Sequence, residues 1–232
     1  MKTIGLIGGM SWESSVEYYR LINQGIRERL GGLRSAKILL DSFDFEEIAS
    51  RQRSGRWDEA TEMLRASARR LEQSGAEFLL ICTNTMHKVA GPVQDSVGIP
   101  LVHIADPTGA AIVAAGIKRI GLLGTAFTME DGFYRQRLEE RFGLEVLVPD
   151  EPTDRQMVHQ VIFGELCQGV VREESRAAYR AVMSGLVARG AEGIILGCTE
   201  IGLLVGAEDA SVPLFDTTRL HAAAAVEQAL AE

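Results

Sequence analysis

Only three of the 232 residues are cysteine, Cys82, Cys167 and Cys198, an odd number without a Cys-x-x-Cys pair. That count works against a disulfide framework and makes a reducing cytoplasm the expected compartment. No apolar run approaches the ~18 residues that a membrane-spanning helix needs. The opening MKTIGLIGG is apolar for only a few residues before Gly8-Gly9 and Glu13 interrupt it, so no secretory signal is expected. No Lys/Arg cluster stands out, and a net charge of -8 with a pI near 5.2 opposes binding to nucleic acid or an anionic membrane by charge. The first glycine loop, Gly8-Gly9-Met10-Ser11, lacks the G-x-G-x-x-G spacing of a dinucleotide site. No lysine motif suggests a Schiff base, so pyridoxal phosphate is not indicated and no cofactor is expected. His103, His159 and His221 show no metal-ligand spacing with cysteine or carboxylate partners.

What the chain does contain is a repeat. GAEFLLICTN begins at Gly75, and a variant, GAEGIILGCTE, begins at Gly190, 115 residues later. This register sets Leu80 against Ile195 and Thr83 against Cys198. A second pair of anchors, IGLIG at Ile4 and IGLLG at Ile120, lies 116 apart, so only one residue separates the two offsets. Duplication of one plan accounts for both.

Around these anchors, apolar runs of strand length alternate with helical periodicity. KTIGLIGG precedes a helix signal through Ser14 to Leu30, then KILLDSF, then a helix from about Trp57 to Ser74 with Ala60, Met63, Leu64, Ala68 and Leu71 on one face. FLLICTNT is continuously apolar at its start and reads as a strand covered on both faces. The second half repeats the order with KRIGLLGT, a short helix from about Asp131, LEVLVP, and a helix through Ser175 to Ala188 carrying Tyr179, Val182, Met183, Leu186 and Val187. Gly75 and Gly190 stop the two long helices. HAAAAVEQALA reads as a packing helix.

Such alternation predicts parallel sheets clad with helices, hence two doubly wound α/β domains. The expected division is residues 1–102 plus about 208–232 for the first and 103–207 for the second. Ligands in these sheets bind beyond the carboxyl ends of the strands, which directs attention to 8–11, 83–87, 124–128 and 198–200. Two domains related by a pseudo-twofold axis would aim Thr83 and Cys198 at one point from opposite sides. Two proton carriers on opposite faces of one carbon suit racemisation. A thiol, with an ordinary pKa near 8.5, is a reasonable base once donors or a helix N-terminus lower it.

Gly197-Cys198-Thr199-Glu200, Thr83-Asn84-Thr85-Met86-His87, Gly8 to Ser15 (GGMSWESS) and Arg51 to Trp57 (RQRSGRW) together resemble the cofactor-independent aspartate/glutamate racemases. That family has two flavodoxin-like halves, each with a catalytic cysteine, in C-N-T-x-H and G-C-T-E motifs. Here threonine stands where the first cysteine is expected. The resemblance therefore implies the subgroup with a Thr/Cys pair, a preference for L-glutamate and L-aspartate, and a homodimer. It implies Cys198 as the effective base and Thr83 as a proton donor, direct or through water. Cys82 mimics Cys198 at an offset of 116, but successive strand side chains face opposite ways, and both the Gly-Ala-Glu register and the N-T-x-H match choose Thr83.

Asn84, Thr85 and Thr199 are expected to hold the substrate's α-carboxylate, with Glu200 beside them. Met10 lies in the first loop, Thr125 is the second-half counterpart of Gly9, and Gln52 would meet the substrate's distal group. Arg51 and Arg53 flank Gln52, and an arginine would suit a second substrate carboxylate, but near Glu46, Glu47 and Asp58 they read more readily as solvated surface charges. His87 is assigned no proton-transfer step, and Cys167 reads as core. The expected partner is a small amino acid. A single-cysteine decarboxylase or isomerase and a non-catalytic amino-acid-binding protein are the alternatives.

Overall fold

The computed structural model describes residues 1–231, in two compact units. The first comprises Met1–Ile104 and the chain from His221 onward; the second is Ala105–Leu220. In the first, β1 (Ile4–Gly8), α1 (Trp12–Leu30), β2 (Ile38–Ser42), α2 (Phe45–Arg53), α3 (Trp57–Gln73) and β3 (Phe78–Ile81) lead into a 3-10 turn, Thr85–Val89, and α4 (Ala90–Gln94). In the second, α5 (Ala105–Ala114), β4 (Arg119–Gly124), α6 (Ala126–Glu130), α7 (Phe133–Phe142), β5 (Glu145–Leu147), α8 (Pro152–Gly164), α9 (Glu173–Ala188), β6 (Ile194–Gly197), α10 (Ile201–Leu204) and β7 (Leu214–Asp216) follow in turn. The last helix, α11 (Thr217–Leu230), contains the return to the first unit.

Both sheets are parallel. Strand order is β2-β1-β3 in the first, extended by a parallel bridge from Leu79 to Leu101, and β5-β4-β6-β7 in the second. This is the doubly wound, flavodoxin-like order in which each edge is reached by a helical crossover. The duplication is written into the register. Gly5 pairs with Leu79 across β1 and β3, and their repeats, Gly121 and Ile194, pair across β4 and β6. A Cβ on Gly5 would lie 2.6 Å from Leu79 Cδ2, and one on Gly121 would lie 2.6 Å from Ile194 Cδ1. In both sheets the glycine makes room for the large side chain opposite.

The strand residues alternate between two cores. Ile7, Leu79 and Ile81 pack with Ile48 of α2 and Ala60, Leu64, Ala68 and Leu71 of α3. Ile4, Leu6, Phe78, Leu80 and Cys82 pack on the other face with Tyr18, Ile22 and Ile26 of α1 and Ala222, Ala225, Val226 and Ala229 of α11. Burying each large aliphatic side chain here is worth roughly 1.5–3 kcal/mol, so the period of two in the strands and of 3.6 in the helices fixes which faces meet. Around β4 and β6, Leu123, Ile194 and Leu196 pack with Val158 and Ile162 of α8 and with Tyr179, Val182, Met183 and Leu186 of α9.

Two sequence expectations need correction. Residues 208–220 belong to the second unit, not the first, because β7 pairs with β6 in register Ile195 to Phe215. A strand of three residues is too short to announce itself by periodicity. Residues 103 and 104 likewise belong to the first unit, not the second. After Cys198 the chain forms a single helical turn, Ile201–Leu204.

Candidate active site

In the first unit, β1 and β3 end side by side, with Cys82 N–H donating to Ile7 C=O at 2.9 Å. The chain leaves β1 through Gly9, whose φ of +82° suits glycine and whose Cβ would fall 2.3 Å from Phe43 C=O. Ser15 Oγ accepts from Gly9 N–H at 2.8 Å and donates to Ser11 C=O at 3.0 Å, which ties the loop to the first turn of α1. Beyond β3 come Thr83, partly exposed, and then Asn84 and Thr85, both buried at the head of the 3-10 turn. Met10 is buried in the core that includes Ile7 and Met86. Gln52, also buried, donates from Nε2 to Met86 Sδ at 3.1 Å. Met10, Gln52, Thr83, Asn84 and Thr85 thus gather at the carboxyl end of the first sheet.

Strand parity separates Cys82 from its neighbour Thr83 as the sequence register expected. Cys82 continues the face of Phe78 and Leu80 into the core and is fully buried, whereas Thr83 emerges. Burial pushes the Cys82 thiol up, far from any pH at which it would act. This has a consequence for stability. An unfolded thiol ionises near pH 8.5, so above that pH the unfolded chain holds fewer protons than the folded one and stability falls as pH rises. Cys82 should account for about 1.4 kcal/mol of loss per pH unit in that range. Urea unfolding at about pH 8 to 10 should show the decline, and it should be shallower in Cys82→Ala; a slope unchanged by that substitution would contradict the assignment.

The second unit repeats the arrangement with different chemistry. Gly124 and Gly197 are opposite one another where β4 and β6 end. A Cβ on Gly197 would lie 2.7 Å from Leu123 C=O, so the backbone entering Cys198 is packed directly on β4. Thr125 caps α6, accepting from Thr128 N–H at 3.3 Å, and its hydroxyl lies 3.2 Å from that of Thr128. Thr125, the counterpart of Gly9 and expected to face substrate, thus caps α6 at the end of β4. Cys198 and Thr199 are partly exposed, and Glu200 is buried.

Glu200 is the organising group here. Its Oε2 accepts from Cys198 Sγ at 2.9 Å and from Thr199 Oγ1 at 2.7 Å. Burial pushes the Cys198 thiol well above its ordinary range, and the nearby Glu200 carboxylate adds to the rise. This reverses the expectation of a lowered thiol pKa: the resting sulfur keeps its proton and shares it with the carboxylate. The one-turn α10 supplies little dipole to oppose this, and its Ile201 N–H already bonds Cys198 C=O at 3.1 Å. Cys167 packs at the margin of the same core.

The flanking arginines are engaged at the surface. Arg51 reaches Glu59 at 3.2 Å and Glu47 C=O at 2.6 Å, while Arg53 pairs with Glu46. His87, to which sequence assigned no proton-transfer step, is buried beside Thr83, with Nδ1 2.8 Å from Thr83 C=O. The four-residue spacing from Thr83 to His87 carried that signal. Among the described residues, no helix is long and apolar enough to cross a membrane.

Residues 7–225 match the model of the family described as Asp/Glu/Hydantoin racemase. The chain belongs to this family. Among curated relatives, the broad specificity amino-acid racemase RacX of Bacillus subtilis (strain 168) is 25% identical over 174 residues, covering 75% of this chain and 74% of that one. Among solved structures, one from Yersinia pestis described as a candidate Asp/Glu racemase is 55% identical, covers 100% of both chains and superposes with a TM-score of 0.92. An aspartate racemase homologue from Pyrococcus horikoshii OT3 is 34% identical with 99% of each chain covered and a TM-score of 0.84. These similarities extend over both sheets, so the family's two-unit plan is the plan of this chain.

Proposed function

We propose that this protein racemises acidic amino acids, glutamate and aspartate with the L forms preferred, without pyridoxal phosphate, through Cys198 and Thr83. One observation carries the reading. Equivalent strand ends in a duplicated fold present a thiol hydrogen-bonded to a buried carboxylate in one unit and a hydroxyl in the other. Family membership and the printed activities of the relatives support an amino-acid racemase.

In the forward step Cys198 passes its proton to Glu200 and its sulfur removes the substrate's α-proton. The C–H bonding pair moves into the α-carboxylate as an enediolate. Donors from Asn84, Thr85 and Thr199 would stabilise that charge, on the scale of several kcal/mol typical of oxyanion holes. Carbon then takes a proton from the Thr83 side, directly or through water, which inverts the centre. At the end of the turnover the proton held by Glu200 returns through solvent to the Thr83 side, which restores the starting state. The reverse direction runs the same path backwards. Thr83 is the weaker partner, because an aliphatic hydroxyl yields its anion far less readily than a thiol.

Proton NMR in D2O tests the reading. L-glutamate or L-aspartate should lose its α-proton signal and appear as both enantiomers, each heavier only by the deuterium. Loss of carbon dioxide would establish a decarboxylase instead, and binding without exchange would establish a non-catalytic amino-acid-binding protein.

A further inference from the structure

The first unit holds a cluster of buried imidazoles that the proposed chemistry does not use. His87 Nε2 lies 3.1 Å from Ile104 N–H, a group that can only donate, so this nitrogen accepts and carries no proton. A neutral ring then bears its proton on Nδ1, which is 2.8 Å from Thr83 C=O, a group that can only accept. One tautomer satisfies both contacts. His87 N–H also donates to Asn84 C=O at 3.0 Å, so a single residue grips the two carbonyls that follow β3.

The ring is confined from the sides as well. His103 stands 4.5 Å away and His221 5.8 Å away between centroids, both edge-on. His221 is itself fixed: its Nε2 meets Val102 C=O at 2.8 Å and so carries the proton, while Nδ1 accepts from Tyr18 O–H at 2.8 Å. Its two ring nitrogens are thus both engaged, leaving His221 unable to replace His87.

Thr83 C=O belongs to the peptide plane that joins Thr83 to Asn84. Holding that plane fixes the direction of the Asn84 N–H and, through the Thr83 ψ angle, the direction in which the Thr83 side chain leaves the backbone. We propose that neutral His87, protonated at Nδ1, is the positioning residue that sets the orientation of Thr83. The proposal rests on the racemase reading in which Thr83 serves one face of the substrate. His87 touches no reacting atom and acts only through the backbone of Thr83.

Two substitutions separate positioning from mere packing, because amides reproduce one ring nitrogen at a time. In His87→Asn the amide N–H2 lies where Nδ1–H was and keeps the Thr83 contact. In His87→Gln the amide oxygen lies where Nε2 was and keeps the Ile104 contact. Both should lower the melting temperature to a similar degree. His87→Asn should hold kcat within about threefold of wild type, whereas His87→Gln should lose about tenfold or more in kcat with KM unchanged. Equal losses in the two variants, or a greater loss in His87→Asn, overturn the proposal. Independently of turnover, long-range 1H–15N correlation on the wild-type protein should show His87 with a pyrrole-type Nδ1 and a pyridine-type Nε2. The opposite tautomer in a chain that racemises defeats the positioning role alone. A wild-type chain that keeps every α-proton defeats the racemase reading and this proposal with it, whatever the tautomer.

Discussion

Cys198→Ala should abolish both racemisation and α-proton exchange for either enantiomer, a fall of at least about 10^2–10^4-fold, the usual contribution of a positioned acid/base group. Nothing else at the two strand ends can take its place. Thr83 offers only a hydroxyl, Cys82 is fully buried with its side chain in the first unit's core, and Cys167 packs against the second unit's core. Thr83→Ala should behave differently. Racemisation should fall by about 10^2-fold or more, while exchange survives for the one enantiomer whose α-proton faces Cys198. Sulfur removes that proton, trades it for deuterium from solvent, and returns deuterium to the same face. NMR of the α-position combined with chiral chromatography reads both quantities. Exchange that persists in Cys198→Ala, or that vanishes for both enantiomers in Thr83→Ala, would show the roles to be misassigned.

A thermodynamic constraint sharpens what the Thr/Cys asymmetry is able to do. Enantiomers have equal free energy in water, so kcat/KM must be the same in both directions of one racemisation. A weaker acid on one face lowers both directions equally in that ratio. The asymmetry is therefore visible in kcat and KM moving together, and in the one-sided exchange expected of Thr83→Ala, rather than in a net bias towards one enantiomer. A preference for L-glutamate and L-aspartate then describes which side chains are accepted and how each enantiomer saturates the protein.

How much of this was legible beforehand depends on the range of the interaction involved. The duplicated strands announced themselves because parallel strands covered on both faces are continuous apolar runs, and Gly5 and Gly121 survive in both copies because each faces a large residue across the sheet. Alternation required that only one of Cys82 and Thr83 emerge, the repeat register and the N-T-x-H match chose Thr83, and the split of side chains between two cores has the same alternating cause. Elements with weak or uniform patterning escaped. No periodicity marked α2, which is nine residues long, and α5 is rich in alanine and glycine, whose small side chains draw no stripe. The protonation of Cys198 was read wrongly because sequence shows which charges are near in number, not how much solvent they retain. Glu200 lies two residues on, but only the turn that folds its carboxylate back onto sulfur reveals that it faces the thiol.

Glu200→Gln should therefore also have a large effect on catalysis, about 10^2-fold in kcat at neutral pH, and for a reason that can be isolated from substrate binding. The Cys198 thiol is raised first by burial and then by the negative charge of Glu200. With the carboxylate present, the thiol proton has an acceptor at 2.9 Å, and turnover at neutral pH needs no help from hydroxide. Replacing it by the neutral amide removes the repulsion, so the thiolate forms at lower pH than in the wild type, although burial still holds it above the ordinary thiol range. It also removes the acceptor, so the proton must leave to solvent. Two opposite signs follow from one substitution. Alkylation by iodoacetamide at mildly alkaline pH should speed up, because more sulfur is ionised, while racemisation at neutral pH slows and recovers as pH rises. The wild type should show a flatter profile over the same range. If Glu200 instead contacted the substrate, Glu200→Gln would change KM and leave the alkylation rate as it was.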